Sequence, residues 1–142
     1  MAVVIQGTDN ELIKVYDEAS SGSPIQDYIV ADGTGIEKGT LLKVADPRTA
    51  SKSSGATDYI AGIAVREKIA SDGRTRLSVY KKGYFRAIAS GAITCGQALV
   101  SAGVNNMIKA LTLAANASGA AILGYADETA ADQEAFILRL DL

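Results

Sequence analysis

Apolar and polar residues alternate over short runs. Arg76-Leu77-Ser78-Val79-Tyr80 and Phe136-Ile137-Leu138-Arg139-Leu140 are the clearest, and in the second run Phe136, Leu138 and Leu140 share one face. Such a period of two predicts half-buried β-strands. Between the runs lies turn chemistry: Asp32-Gly33-Thr34-Gly35, Glu37-Lys38-Gly39, Lys52-Ser53-Ser54-Gly55 and Ser71-Asp72-Gly73. Asp72-Gly73 separates the apolar stretch 60–69 from the stretch 77–85 and predicts a hairpin. Long amphipathic helices are absent from the pattern. Residues 108–117 fit either a short helix or a strand, because Met107, Ile108, Leu111 and Ala115 also suit a helical face. Residues 1–31 have weak periodicity and a Ser-Ser-Gly-Ser-Pro stretch at 20–24. They read as an extended arm, with short strands at 3–6 and 12–16.

The order of elements repeats. Ile36-x-x-Gly39-x-x-Leu42 is followed by Ile60-Ala-Gly62-Ile-Ala64, then Asp72, then the strand 77–80. Ile93-x-x-Gly96-x-x-Leu99 is followed by Ile122-Leu-Gly124-Tyr-Ala126, then Asp132, then the strand 136–140. Glycine within an apolar strand pattern marks a bulge or a close backbone approach. The expectation is an all-β fold: a small β barrel or sandwich of short strands with pseudo-repeated halves, about 36–86 and 93–140. These make a single β domain, 32–142, behind an extended N-terminal arm, 1–31.

Composition narrows the function. The 142 residues include no histidine, no tryptophan and one cysteine. No Ser-His-Asp triad, Cys-His pair, imidazole metal ligand or thiolate zinc site can be built from them. Asp17-Glu18 and Asp127-Glu128 are adjacent carboxylates, which on a strand point to opposite faces and suit no paired acid/base role. No phosphate loop or complete dinucleotide fingerprint is present. Cys95 has no basic neighbour and reads as a small apolar residue in or near the core. The chain is therefore expected not to be an enzyme and to need no cofactor or metal. No apolar run reaches the roughly 18–20 residues of a membrane helix, and the N-terminus lacks the pattern of a signal peptide.

Charge is uneven. Residues 1–42 carry seven acidic and two basic side chains, residues 43–86 four and ten, and residues 87–142 five and two. The basic middle contains Arg66, Lys68, Arg74, Arg76, Lys81 and Lys82. Solvated loops, complementary elements or an acidic partner surface would each account for it. The run 79–86 interleaves Tyr80, Lys82, Tyr84 and Arg86, a pattern seen in single-strand nucleic-acid platforms. It is equally the outer face of one long strand with a bulge at Gly83, whose Val79, Phe85 and Ala87 enter the core. The acidic chain as a whole favours the second reading.

From about residue 28 onward the sequence resembles the head-decoration, or capsid cement, proteins of tailed bacteriophages. The residues that carry the likeness are Ile36-x-Lys-Gly39-Thr-Leu-Leu-Lys-Val, Ile60-Ala-Gly-Ile-Ala-Val and Leu77-Ser-Val-Tyr-x-x-Gly83-Tyr-Phe-Arg-Ala. Gly96-x-Ala-Leu-Val, Ile122-Leu-Gly-Tyr-Ala-Asp-Glu-Thr-Ala and the closing strand 135–140 continue it. The resemblance implies a structural virion protein, made in the host cytoplasm and seated on the outer surface of an icosahedral capsid. Its expected partners are the major capsid protein and copies of itself, as a homotrimer, with no nucleic acid, membrane or small-molecule substrate. Val3, Val4, Ile5, Leu12, Ile13 and Val15 are candidates for contact by strand addition, and Arg74, Arg76, Lys81 and Lys82 for charged contact. On this reading, deleting residues 2–16 would weaken capsid binding and leave the barrel folded. A surface-displayed module binding glycans or a host surface is the alternative, and a single-stranded nucleic-acid-binding barrel a more distant one.

Overall fold

The computed structural model describes residues 10–16, 25–111 and 121–142. Strands β2 (Ile25–Ile29), β3 (Leu41–Ala45), β4 (Thr49–Lys52), β5 (Ile60–Ala64) and β6 (Arg76–Tyr80) close into a barrel in the order β2-β4-β3-β5-β6. Its pairs are antiparallel except β2 with β4, which meet in parallel at Ile29 and Thr49. Six further strands form a second sheet: β1 (Ile13–Tyr16), β7 (Lys82–Ile88), β11 (Ala135–Asp141), β10 (Gly124–Ala126), β8 (Ala98–Ser101) and β9 (Ile108–Ala110), in that spatial order. The all-β expectation holds, with one closed barrel and one curled sheet.

Two apolar cores result. The smaller fills the barrel with Tyr28, Val30, Ile36, Leu42, Ala50, Ala61, Ala64, Leu77 and Val79. The larger lies inside the second sheet and between the halves, where Leu41, Ile60 and Ile63 meet Phe85, Leu99, Ile108, Leu123, Phe136 and Leu138. This explains why β5 is an uninterrupted apolar run. Ala61 and Ala64 face the barrel while Ile60 and Ile63 face the other half, so all five residues are buried.

The two halves carry the same hydrogen bonds. Ile36 and Lys68 exchange backbone bonds of 2.9 and 2.7 Å, as Ile93 and Ala130 do at 2.9 and 2.8 Å. Gly39 N donates to Ala64 O, and Gly96 N to Ala126 O. Val65 N donates to Ser78 O, and Asp127 N to Ile137 O. The parallel contact of Ile29 with Thr49 has its counterpart in the parallel bridge of Ala89 with Ile108. The aspartates do not correspond. Ser71 and Gln133 take left-handed φ of 61° and 67° at equivalent places in the two hairpins, and Gly73, φ 84°, does so again in the first.

Four local expectations change. Residues 25–29, placed in the arm, form a barrel strand paired along its length with β6. The run 79–86 divides at Lys81 into β6 and β7, which belong to different sheets, although Val79, Phe85 and Ala87 are inward as expected. Residues 108–110 are a strand, and residues 112–120 lie outside the described residues. Cys95 is exposed, because it stands in the turn between Ile93 and β8, where its backbone N–H donates to Thr129 Oγ1 at 3.1 Å.

Candidate functional site

β1 lies at the edge of the second sheet. It pairs with β7 through Ile13 with Arg86 and Lys14 with Phe85, then shifts register before Tyr16 meets Tyr84. The alternation sends Leu12 inward, 2% exposed, where it joins the larger core. As a contact residue Leu12 is therefore corrected: it packs within its own chain. Ile13 and Val15 stay outside at 41% and 43% exposure. Val3, Val4 and Ile5 lie outside the described residues.

The strand registers extend this edge into a face. Ile13 neighbours Arg86, and Arg86 neighbours Ile137. Tyr84 neighbours Arg139, which neighbours Tyr125. The Arg139 guanidinium lies 5.6 Å from the Tyr125 ring centre, within the range of a cation–π contact. Aliphatic residues, tyrosines and arginines together are the composition of protein contact surfaces. Tyr125 and Arg139 escaped the sequence reading, since nothing local links residues on different strands.

The basic residues separate into three groups. Arg66, Arg74 and Arg76 line one recess on the outside of the barrel with Asp27, Leu77 and Ser78. Asp27 Oδ1 there accepts from Ser78 Oγ at 2.7 Å. Lys81 and Lys82 already have partners within the chain. Lys81 Nζ donates to the Tyr28 hydroxyl and sits 4.9 Å from that ring's centre, and Lys82 Nζ lies 2.6 Å from Asp141 Oδ1. Lys68 belongs to no surface at all. Its buried Nζ donates to Asp32 O, Ile69 O and the carboxylates of Asp32 and Asp72 at 2.8–3.3 Å. It clips two loops of the barrel end together.

Among the described residues, three carboxyls are held below their ordinary value of 3.8. For Asp72 the N–H of Arg74 contributes most, with Lys68 adding to it against the effect of burial. For Asp141 the hydrogen bond from Lys82 dominates. For Asp58 burial pulls upward, but bonds from Ser54 N, Gly55 N and Ser53 Oγ together with the Lys43 charge outweigh it. A carboxyl whose folded pKa is lowered stabilises the fold above its unfolded value, and that stabilisation disappears as pH falls through the folded one. With no histidine, no side chain of ordinary pKa titrates between about pH 5 and 7. The urea unfolding midpoint is expected to be flat from about pH 5 to 7 and to fall below about pH 4. A bell-shaped profile within the neutral range would contradict this.

The arrangement supplies contact surfaces: an apolar sheet edge, an arginine–tyrosine face and a cationic recess. The fold is similar to the crystal structure of the head fiber gp8.5 N base in bacteriophage phi29, with a TM-score of 0.52 and 16% identity over 82% of this chain and 92% of that one. At that identity the likeness speaks for the fold alone. Residues 19–140 match the phage cement protein family, and the chain belongs to that family. It is thus a structural protein of the phage capsid, and the family is not a class of enzymes. No curated protein matches the sequence.

Proposed function

We propose that this protein binds the outer surface of an icosahedral phage capsid as a homotrimer and holds neighbouring major capsid subunits together. Membership of the cement family over residues 19–140 carries the reading. The surface chemistry supports it. Ile13 and Val15 lie side by side on an edge strand, which suits sheet extension by a partner. Three copies in one assembly convert modest single-site affinity into avidity.

The test uses expanded shells lacking this protein. Purified protein is expected to co-sediment with them saturably and to raise the temperature at which they rupture. No saturable binding would overturn the proposal. Deletion of residues 2–16 is a poor probe, because Asn10 and Leu12 are built into the fold. Ile13→Asp with Val15→Asp changes only exposed side chains and is expected to weaken shell binding at least about tenfold, with the thermal midpoint little changed.

A further inference from the structure

Two recesses lie at matching positions of the repeat, a cationic one in the first half and a neutral one in the second. The first is lined by Asp27, Arg66, Arg74, Arg76, Leu77 and Ser78. The second is lined by Arg86, Glu128, Ala135, Phe136 and Ile137. The bond from Val65 N to Ser78 O corresponds to that from Asp127 N to Ile137 O, so Arg66 and Glu128, each one residue further on, occupy equivalent places. Asp27 faces Ser78 across the β2–β6 ladder as Arg86 faces Ile137 across β7–β11, so Asp27 and Arg86 are equivalent too. At both matched positions the sign of the charge is reversed.

The surrounding loops extend the contrast. Residues 66–76 carry four basic and two acidic side chains, +4 − 2 = +2, whereas residues 127–135 carry four acidic and no basic ones, −4. Among the described residues, the side chains of Arg66, Arg76 and Asp127 make no hydrogen bond or ion pair, so their charges are available. Two large apolar side chains accompany the arginines: Ile29, opposite Arg76 in the ladder, and Ile69, both exposed.

We propose that copies of this chain associate head to tail, the arginine recess of one docking on the acidic 127–135 loop of the next. Guanidinium groups bind carboxylates through paired hydrogen bonds, and the flanking isoleucines lose water in the same contact. A two-fold pairing of the recess with itself would bring like charges together. The contact therefore joins two different surfaces, and each copy offers both, which generates a closed ring when the rotation between copies allows it. This inference rests on the self-association in the proposed function and names the surfaces that carry it.

The experiment is light scattering on the purified full chain over a range of concentrations, at low salt and at about 0.5 M salt, where exposed charges are screened. The unmodified protein is expected to associate, and less so in high salt. Arg66→Glu with Arg76→Glu is expected to weaken association at least about tenfold, and Asp127→Lys by a smaller factor. Mixed together, the two variants are expected to associate with each other, because one retains the acidic loop and the other the basic recess. A monomeric unmodified protein, variants that associate as it does, or a mixture that stays apart would each overturn the proposal. Far-UV spectra and thermal midpoints establish that the variants are folded. Shell binding measured in parallel separates the two readings: a monomer that still saturates shells overturns the ring and the homotrimer but not capsid binding, and a ring that ignores shells overturns capsid binding alone.

Discussion

Gly124→Ala and Gly62→Ala are each expected to cost about 3–5 kcal/mol, a large part of the stability of a domain this size. The two glycines are counterparts in the repeat, in β10 and β5. A Cβ on Gly124 would collide with the carbonyl oxygen of Arg139 and stand 2.9 Å from its carbon. A Cβ on Gly62 would collide with Tyr80 O and lie 3.0 Å from Val79 Cγ2, and its φ of +147° is one that L side chains rarely adopt. Both obstacles are backbone of the neighbouring strand, which cannot swing aside as a side chain can. β10 would have to part from β11, or β5 from β6, and each pair lies in the interior of its strand order. Gly73→Ala and Gly91→Ala are the controls. They share positive φ, +84° and +82°, but open space surrounds them, so each is expected to cost only about 1 kcal/mol. Urea denaturation checks all four. Equal small losses would show that the strands have room to give.

Those two glycines were legible in the sequence because an apolar strand gains nothing from glycine unless another backbone lies close. The alternation of β6 and β11 was legible for a similar local reason. β2 was not. Ile25 and Ile29 face solvent and Tyr28 faces the barrel, so its apolar positions do not mark its buried face. Its membership in the barrel comes from pairing with β6, about fifty residues away, which local pattern does not encode. For Lys68 the sequence leaves open solvated loops, complementary elements or a partner surface, and the structure shows complementary loops, with Asp32 and Asp72 arriving from two of them. Of the candidate contacts, Arg74 and Arg76 were visible as basic residues, and the structure adds Arg66 to them. The counterpart of Arg66 at Glu128 follows from the match of Ile60–Ala64 with Ile122–Ala126, but that of Asp27 at Arg86 does not, because residue 27 lies before the first matched segment. The ladders supply the second equivalence, with Ser78 opposite Asp27 and Ile137 opposite Arg86.

Asn106→Asp is expected to be the most damaging isosteric change in the chain. Asn106 is nearly buried, with a φ of +54° that asparagine tolerates better than most residues. Its amide joins three segments. Nδ2 donates to Asn10 O and to Gly39 O, and Oδ1 accepts from Leu41 N at 2.8 Å. Gly39 and Leu41 belong to the first half and Asn106 to the second, so this side chain and the Ser53–Ser101 hydroxyl bond of 2.8 Å are polar ties across the apolar interface. An ionised carboxyl at this position keeps the acceptor for Leu41 N but turns negative charge toward two carbonyl oxygens, leaving Asn10 O without that donor and Gly39 O with the N–H of Leu12 alone. A buried carbonyl so stranded costs about 1–3 kcal/mol, and the charge held against two carbonyl oxygens adds to it, which puts the loss at about 3–5 kcal/mol at neutral pH. Burial and the facing carbonyls would raise the pKa of that carboxyl above its unfolded value. The penalty is then present above the raised pKa and shrinks as pH falls through it, since the protonated form regains one donor. The N106D protein is therefore expected to recover stability on mild acidification, where the unmodified protein is flat. Asn106→Leu, which lacks both functions, is expected to lose about as much at every pH and to leave the Leu41 amide open to hydrogen exchange. An N106D stability profile parallel to that of the unmodified chain would remove Asn106 from this role.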